Sequence, residues 1–204
     1  MFPPGCIVAV GLRSEAALLP PSVRTVVSGG DPRRLAALLA ALPRDVTAVL
    51  SFGIAGGLAP GLATGEVLAA SEIWDAGEIW PALWPHPLPG RTARLAASNV
   101  LLPDALAKAG LHRVSGALAV DMESGIAARF ARERAVPFGA LRAVADAAGD
   151  ALPRAAALGL HPDGSPAPLR VLGALLRRPT DLPGLLRLAR ASARAHAALS
   201  RVLA

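Results

Sequence analysis

Two acidic motifs in the sequence could carry chemistry. AVDMES places Asp121 and Glu123 directly after one apolar segment, and RAVADAAGD places Asp146 directly after another. A carboxylate next to buried apolar chain is costly unless it is paired or hydrogen-bonded. The residues alone leave two interpretations open: functional acids at the end of a strand, or acids that stabilise the start of a helix or cap a turn.

Two glycine-rich segments are the other candidates. Ser28, Gly29 and Gly30 follow an apolar run, where free backbone N–H groups could hold an anion, although such a sequence is also typical of an ordinary turn. SFGIAGGL, residues 51–58, is expected to be a junction between a buried strand and a loop, where its glycines would let a ligand approach the main chain closely. Its spacing lacks the GxGxxG pattern, which argues against a dinucleotide site.

The elements that must position these motifs alternate between apolar runs and alanine-rich stretches, which predicts an α/β fold. Helices are expected at 32–42 and 122–135, and the proline-rich segment 80–90 is expected to be an irregular loop. Strands are expected at 6–10, 23–27, 46–51, 67–70, 118–121 and 138–144.

The composition favours one compact domain in a reducing compartment. Of 204 residues, 53% are hydrophobic and 18% are charged, which excludes a disordered chain. The single Cys6 and the four histidines show no zinc-like spacing, so we expect no metal and a cytoplasmic protein. The uncharged run 46–65 is interrupted by glycines and a proline and is not expected to span a membrane, and the N-terminus reads as a strand rather than a signal peptide.

The net charge of +6 lies in the C-terminal segment, residues 170–204, which holds seven arginines and one aspartate. We treat this segment as a helical appendage of the domain formed by residues 1–169. At helical spacing its arginines at 187, 190, 194 and 201 fall on one side and its leucines on the other. The favoured interpretation is a terminal helix packed on the core. The alternatives are peripheral contact with an anionic membrane or a lining for the entry of an apolar substrate. With 3% aromatic residues, we expect no nucleic-acid partner.

The motifs together resemble those of the nucleoside phosphorylase superfamily. SFGIAGGL, GEVLAA followed by the acid of WDAG, AVDMES and RAVADAAGD occur in that family's order, over about residues 6–150. They are most similar to the methylthioadenosine/S-adenosylhomocysteine nucleosidase branch, while the short length and the C-terminal segment resemble the hopanoid-associated phosphorylases. The resemblance implies an α/β domain with a central mixed β-sheet flanked by helices, and cleavage of a ribosyl N-glycosidic bond.

The resemblance also implies roles for single residues. Asp146 corresponds to the general acid that protonates the leaving purine, and its alanine neighbours would raise the pKa of that carboxyl by desolvation. Glu123 corresponds to the carboxylate that accepts both ribose hydroxyls, and Met122 would pack beneath the sugar. Glu15 corresponds to the acid that activates water in the hydrolytic branch.

In a phosphorylase the nucleophile is phosphate instead of water. Arg13 and the Ser28, Gly29 and Gly30 turn are then the expected phosphate site, with Gly53 supplying a backbone amide. Four positions depart from the family's pattern. Ile54 stands where a hydroxyl is usual, Val100 stands near the position of a stacking phenylalanine, Ser51 replaces an arginine of the larger phosphorylases, and Ala145 replaces a serine before the acid.

The resulting expectation is release of adenine from an adenosyl compound with a bulky apolar 5′ substituent. Phosphorolysis of adenosylhopane is favoured, with inorganic phosphate as co-substrate and no cofactor. The alternatives are hydrolysis of methylthioadenosine or S-adenosylhomocysteine and, in another class, a non-catalytic membrane-surface protein. By analogy with the family we expect a homo-oligomer.

Overall fold

The apolar runs of the sequence form one mixed sheet of eight strands in the computed structural model, which describes residues 2–153, 161, 163–165, 167, 172, 173, 175 and 177–204. The strands are β1 (Cys6–Val10), β2 (Arg24–Val27), β3 (Ala48–Gly57), β4 (Val67–Asp75), β5 (Glu78–Pro81), β6 (Arg91–Ala97), β7 (Ala119–Asp121) and β8 (Phe138–Asp146). The helices are α1 (Arg13–Ala16), α2 (Pro32–Ala40), α3 (Ala105–Ser115), α4 (Ser124–Glu133) and α5 (Leu182–Leu203).

Part of the sheet closes on itself. The strand order is β2-β1-β3-β7-β6-β4-β5, and β8 pairs with both β3 and β4. Strands β3, β8, β4, β6 and β7 therefore form a closed ring, while β1 and β2 extend the sheet from β3 in parallel. Helices cover the sheet, so the predicted central mixed sheet flanked by helices is confirmed.

Strand β3 is longer than predicted. The sequence segment 51–58 was expected to be a loop, but Ser51–Gly57 continues the strand and pairs with β8 from Val49 to Gly56. Glycine was taken as a signal for a turn, whereas here the ladder to β8 keeps the glycine-rich segment extended. The prediction of a glycine loop is therefore wrong.

The sequence analysis missed four elements, because their apolar residues do not recur at a regular helical or strand spacing. They are α1, α3, β5 and β6. Trp80 and Pro81, predicted to begin an irregular loop, belong to β5, which pairs with β4 across a tight turn. Ala76 and Gly77 both have positive φ in that turn, the conformation that a two-residue hairpin requires.

Helix α5 packs on the sheet through its C-terminal half. Ala195, Ala198 and Leu199 are buried and lie in the same core cluster as the apolar residues of β1 and β8. Arginines at 187, 190 and 194 are exposed. Within the described residues, none of the helices combines the length and the apolar composition that a bilayer span requires.

We predict that Leu199→Ala lowers the free energy of unfolding by about 2–5 kcal/mol, because it leaves a cavity between α5 and the sheet. Leu199 is 0% exposed, whereas Leu186 of the same helix is 47% exposed and provides the matched control. Leu186→Ala should change stability by less than about 0.5 kcal/mol in urea denaturation. Similar small effects of both substitutions would contradict the packing of α5 on the sheet.

Candidate active site

A cavity of about 260 Å³ lies where the carboxyl ends of β1, β7 and β8 approach the second half of β3. This is the edge at which open α/β sheets bind their ligands. Many of the residues singled out in the sequence line it, among them Glu15, Gly30, Ile54, Val100, Asp121, Met122, Glu123 and Asp146. The structure thus brings the acid of the β1–α1 segment and both acidic motifs to one pocket.

Arg142 is the charged centre of this region, and the sequence analysis missed it. It lies in the middle of β8 and is 0% exposed. Its Nη2 donates hydrogen bonds to Asp121 Oδ1 at 2.9 Å, to Ser51 Oγ at 2.5 Å and to Ser124 Oγ at 3.2 Å. An arginine within the otherwise apolar run FGALRAVA was the signal, because a buried guanidinium must find carboxylates nearby.

Asp121 performs the capping role that had been considered for Glu123. Its Oδ1 accepts hydrogen bonds from the backbone N–H groups of Glu123 and Ser124 at 2.9 and 2.7 Å, and its Oδ2 accepts one from Ser124 Oγ at 2.6 Å. The start of α4 is therefore satisfied without Glu123, whose side chain makes no cap hydrogen bond. That side chain lies in the pocket instead.

Glu123 is a buried carboxyl with an altered proton affinity. Its Oε1 accepts a hydrogen bond from Ser28 Oγ at 3.1 Å, and its Oε2 lies 3.5 Å from Arg142 Nη2. Burial raises the pKa of Glu123 to about 7, with further contributions from Asp121 and Glu15, although Arg142 acts in the opposite direction. The ionised form of Glu123 therefore appears only near neutral pH.

Glu15 is held by the main chain. Its Oε2 accepts hydrogen bonds from the N–H groups of Gly11 and Leu12, and its Oε1 accepts one from Ile54, all at 2.8 Å. Burial raises the pKa of Glu15, while Arg142 and the backbone donors lower it. Ile54, which lacks the hydroxyl usual in the family, thus contributes its amide to this carboxylate and its side chain to the pocket.

Two glycines make room for these acids. A Cβ at Gly53 would lie 2.4 Å from Glu15 Oε1 and 2.7 Å from Arg142 Nη1. A Cβ at Gly11 would lie 2.9 Å from Glu123 Oε1. Any side chain at either position would occupy the space in which the carboxyl groups meet, which explains the glycine in the interior of β3 and the glycine that follows β1.

Asp146 ends β8 on the other side of the pocket and has a partner that the sequence analysis missed. Lys108 of α3 donates a hydrogen bond to Asp146 Oδ2, and the same ammonium donates to the carbonyl oxygens of Ala147 at 2.8 Å and Asp150 at 3.0 Å. Burial raises the pKa of Asp146, and Lys108 acts in the opposite direction. The pKa of Asp146 is thus raised, as its alanine neighbours predicted, but the sequence did not reveal that Lys108 opposes this shift.

The residues expected to bind phosphate have other partners. Arg13 is exposed and pairs with Asp163 at 3.0 Å, and it is not among the residues that line the pocket. The N–H of Gly29 donates to the carbonyl of Gly11 at 2.9 Å, and the N–H of Gly30 donates to Ser28 Oγ at 3.0 Å. Gly30 borders the pocket, but the amides proposed for an anion are already hydrogen-bonded within the protein.

The rest of the pocket is mainly apolar. Met122 and Ile54 line it near the acids, and α5 contributes Leu188 and Ser192. Val100 and Leu101 also line it and are 65% and 52% exposed, which places apolar side chains where the cavity meets solvent. Within the described residues, no three histidine, cysteine, aspartate or glutamate side chains are grouped as a metal site requires.

Comparison with known proteins gives a match to a family model over part of the chain, and a similar fold. The sequence model of the phosphorylase superfamily matches residues 94–176, the part of the chain that contains AVDMES and Asp146. No curated protein sequence matches the chain. The predicted resemblance to the nucleoside phosphorylase superfamily is confirmed, and with it the prediction of an enzyme of the phosphorylase and nucleosidase type.

Solved structures with a similar fold are nucleosidases and related hydrolases. The MTAN of Chlamydia trachomatis is 16% identical, with a TM-score of 0.65 over 99% of this chain and 95% of that one. Futalosine hydrolase of Helicobacter pylori is 13% identical, with a TM-score of 0.65 over 97% and 94%. S-adenosylhomocysteine nucleosidase of Streptococcus pyogenes is 19% identical, with a TM-score of 0.61 over 70% and 84%. Family and fold together support cleavage of an N-ribosyl bond in a nucleoside-like compound.

We predict that Arg142→Met destabilises the protein by about 3–5 kcal/mol, because it leaves buried carboxylates without their cation. The loss should be smaller at pH 5 than at pH 8, since protonation relieves the unpaired acids. Arg129→Met is the matched control: this arginine pairs with Asp75 at 2.7 Å but is 52% exposed, so its loss should amount to less than about 1 kcal/mol. Urea denaturation at both pH values measures the free energy of unfolding of the two variants. Equal losses in Arg142→Met and Arg129→Met would contradict the central role of Arg142.

Proposed function

We propose that the protein hydrolyses the N-ribosyl bond of an adenine nucleoside with a bulky apolar 5′ substituent, and that adenosylhopane is such a substrate. One observation carries the proposal. A single, mainly apolar pocket is bordered by a carboxyl suited to donate a proton, Asp146, and by two carboxyls suited to accept hydrogen bonds or a proton, Glu123 and Glu15.

Asp146 is the proposed general acid. A purine leaves slowly as an anion, and a proton delivered to its N7 lets it leave as a neutral base. The raised pKa of Asp146 keeps that proton available, and Gly56 allows the base to approach, because a Cβ there would lie only 3.4 Å from both carboxyl oxygens. The leaving base takes the proton of Asp146 as the bond between C1′ and the base nitrogen breaks.

Glu123 is the proposed sugar ligand. A carboxylate that accepts hydrogen bonds from both ribose hydroxyls fixes the ring and favours the positive charge that develops on it in the transition state. Ser28 donates a hydrogen bond to one oxygen of this carboxyl, and Arg142 forms an ion pair with the other. Met122, which also lines the pocket, would pack against the sugar.

Glu15 is the proposed base for water. The water oxygen bonds to C1′, its proton passes to Glu15, and the products are adenine and the free sugar with its 5′ substituent. A buried carboxylate repels a phosphate anion but not a neutral water molecule. The buried position of Glu15, and the internal hydrogen bonds of the Gly29 and Gly30 amides, favour water as the nucleophile.

Phosphorolysis is the second candidate, and one observation favours it. Within the described part of the chain, Arg142 Nε and Nη1 are buried without a hydrogen-bond partner. Nη1 lies at the cleft that Gly53 leaves open beside Glu15. Unused guanidinium donors at that place suit an anion such as phosphate, whose attack on C1′ would give a ribosyl phosphate and adenine.

Helix α5 supports an apolar substituent and a membrane-bound source for it. Its Leu188 lines the pocket, while Leu182 and Leu186, six and two residues before it, are 46% and 47% exposed on the same helix as the exposed arginines at 187, 190 and 194. A surface that combines exposed leucines with arginines is suited to peripheral contact with anionic lipid. We propose that this contact gives the pocket access to a lipid-bearing nucleoside.

We predict that the protein releases adenine from adenosylhopane, and that the rate and the products do not depend on phosphate. Asp146→Asn should lower the turnover by about 10²–10⁴-fold, because it removes the acid but keeps the shape. Asp45→Asn, at a surface pair with Arg24, is the control. Mass spectrometry of the products, with and without phosphate, measures this result.

Three other outcomes have distinct meanings. A ribosyl phosphate formed only in the presence of phosphate would select the second candidate. Adenine release from methylthioadenosine but not from adenosylhopane would show that the substituent is small. Flotation with anionic vesicles and no release of adenine from any substrate would favour a non-catalytic membrane-surface protein.

We predict that kcat/KM decreases as the pH falls through about 7, because Glu123, with a pKa of about 7, becomes protonated and no longer accepts both ribose hydroxyls. A pH profile measured at low substrate concentration tests this. Glu123→Gln should remove the decrease in kcat/KM at acidic pH together with most of the activity. Glu15→Gln should slow the reaction but keep this acidic limb of the profile. If the acidic limb lay near the ordinary pKa of glutamate instead, burial would not raise the pKa of Glu123 as described.

A further inference from the structure

We infer that Lys108 is a positioning residue for the reaction: it holds one oxygen of the Asp146 carboxyl and leaves the other to present the proton to the leaving base. The inference rests on the proposed role of Asp146 as general acid. It adds a residue that acts on the substrate only through that acid.

Lys108 has no donor left for a substrate. Its side chain is 1% exposed, and its ammonium donates to Asp146 Oδ2, to the Ala147 carbonyl at 2.8 Å and to the Asp150 carbonyl at 3.0 Å. An ammonium carries three N–H donors, so these three acceptors use all of them. Although Lys108 borders the pocket, any effect on chemistry must pass through Asp146.

The choice of lysine at this position fits that task. The chain has 21 basic side chains, and Lys108 is its single lysine. A compact ammonium can direct its donors to three acceptors that converge on one point, whereas a planar guanidinium presents its donors in a fixed fork. The position therefore requires a point donor rather than another arginine.

The same contacts define which oxygen of Asp146 is free. Oδ2 accepts the hydrogen bond from Lys108, so a proton on the carboxyl resides on Oδ1. Gly56 leaves the carboxyl accessible from the side of β3. The backbone contacts of Lys108 to residues 147 and 150 also tie the turn after β8 to α3, which keeps the carboxyl from rotating.

Several charges face Asp146. Lys108 on α3 favours the ionised carboxyl, and Asp150 in the following turn disfavours it. Exposed arginines at 187, 190 and 194 on α5 line a neighbouring cavity of about 430 Å³ that both aspartates border, and Glu123 lies across the substrate pocket. Of these groups only Lys108 is both buried and in direct contact with the carboxyl. Among the charged groups, Lys108 therefore has the largest effect on the pKa of Asp146, in opposition to the larger effect of burial.

The test combines a titration with kinetics. The carboxyl carbon of Asp146, assigned with Asp146→Asn, is titrated by ¹³C NMR in the wild type and in Lys108→Met. Loss of a contacting cation should raise the pKa of Asp146 by about 1–3 units. The alkaline limb of the kcat profile should move up by the same amount, while kcat at the optimum falls by up to about 10²-fold and KM changes little.

Two further variants separate charge from position. Lys108→Arg keeps the charge but not the geometry, so the alkaline limb should stay while kcat falls. If Lys108→Met does not fold, the kcat of Lys108→Arg by itself tests whether Lys108 positions Asp146. Asp150→Asn is the matched control and should move the pKa of Asp146 slightly downwards.

The outcomes distinguish this inference from the proposed function. An unchanged Asp146 titration in folded Lys108→Met, or wild-type kcat in Lys108→Arg, would overturn the role of Lys108. A shifted titration in a protein that releases no base from any nucleoside would instead refute the proposed function, and would leave Lys108 as a partner of Asp146 without a catalytic consequence.

Discussion

The buried guanidinium of Arg142 is the interaction on which the site depends. Asp121, Glu123 and Glu15 are all buried around it, so three carboxyls share one cation. Were all three ionised, the cluster would carry a net negative charge in a medium that solvates charge poorly, which is strongly unfavourable. Burial in this cluster therefore raises the pKa of Glu15, and it raises that of Glu123 to about 7.

Strand β3 supplies the space for that cluster. Its glycines face the acids of two different segments: Gly53 lies against Glu15 and Arg142, and Gly56 lies against Asp146. A glycine-rich strand is weak by itself, because it packs no side chains and loses much backbone entropy on folding. Pairing with β8 along nearly the whole strand compensates for this, and it also carries Arg142 and Asp146 to the same part of the sheet.

The sequence predicted the elements whose apolar residues form continuous runs. Strand β1 has the predicted bounds, and β8 extends the predicted strand by two residues to Asp146. Strand β3 was cut short because glycine usually marks a turn, and only the long-range ladder to β8 reveals otherwise. Asp121, Glu123 and Asp146 were also identified from the sequence, since each lies at the end of an apolar run, and Glu15 was identified from the family resemblance. Arg142 and Lys108 were not. An arginine in an apolar run signals that buried carboxylates lie nearby, but which residues pair with Arg142 and Lys108 has no local signal, because the partners lie 18 to 91 and 38 to 42 positions away along the chain.

In the proposed mechanism, Arg142 and Lys108 interact with acids that need opposite protonation states. Arg142 supports the ionised form of carboxyls that accept hydrogen bonds, while Asp146 has only Lys108, whose charge is offset by burial of the carboxyl. Because the cluster around Arg142 already holds more carboxyls than cations, it presents no excess positive charge to an incoming phosphate. A neutral nucleophile enters such a field without an electrostatic penalty, and it leaves its proton with a carboxyl whose pKa burial has already raised. The charge balance of the pocket, more than any single contact, is thus the physical argument for water.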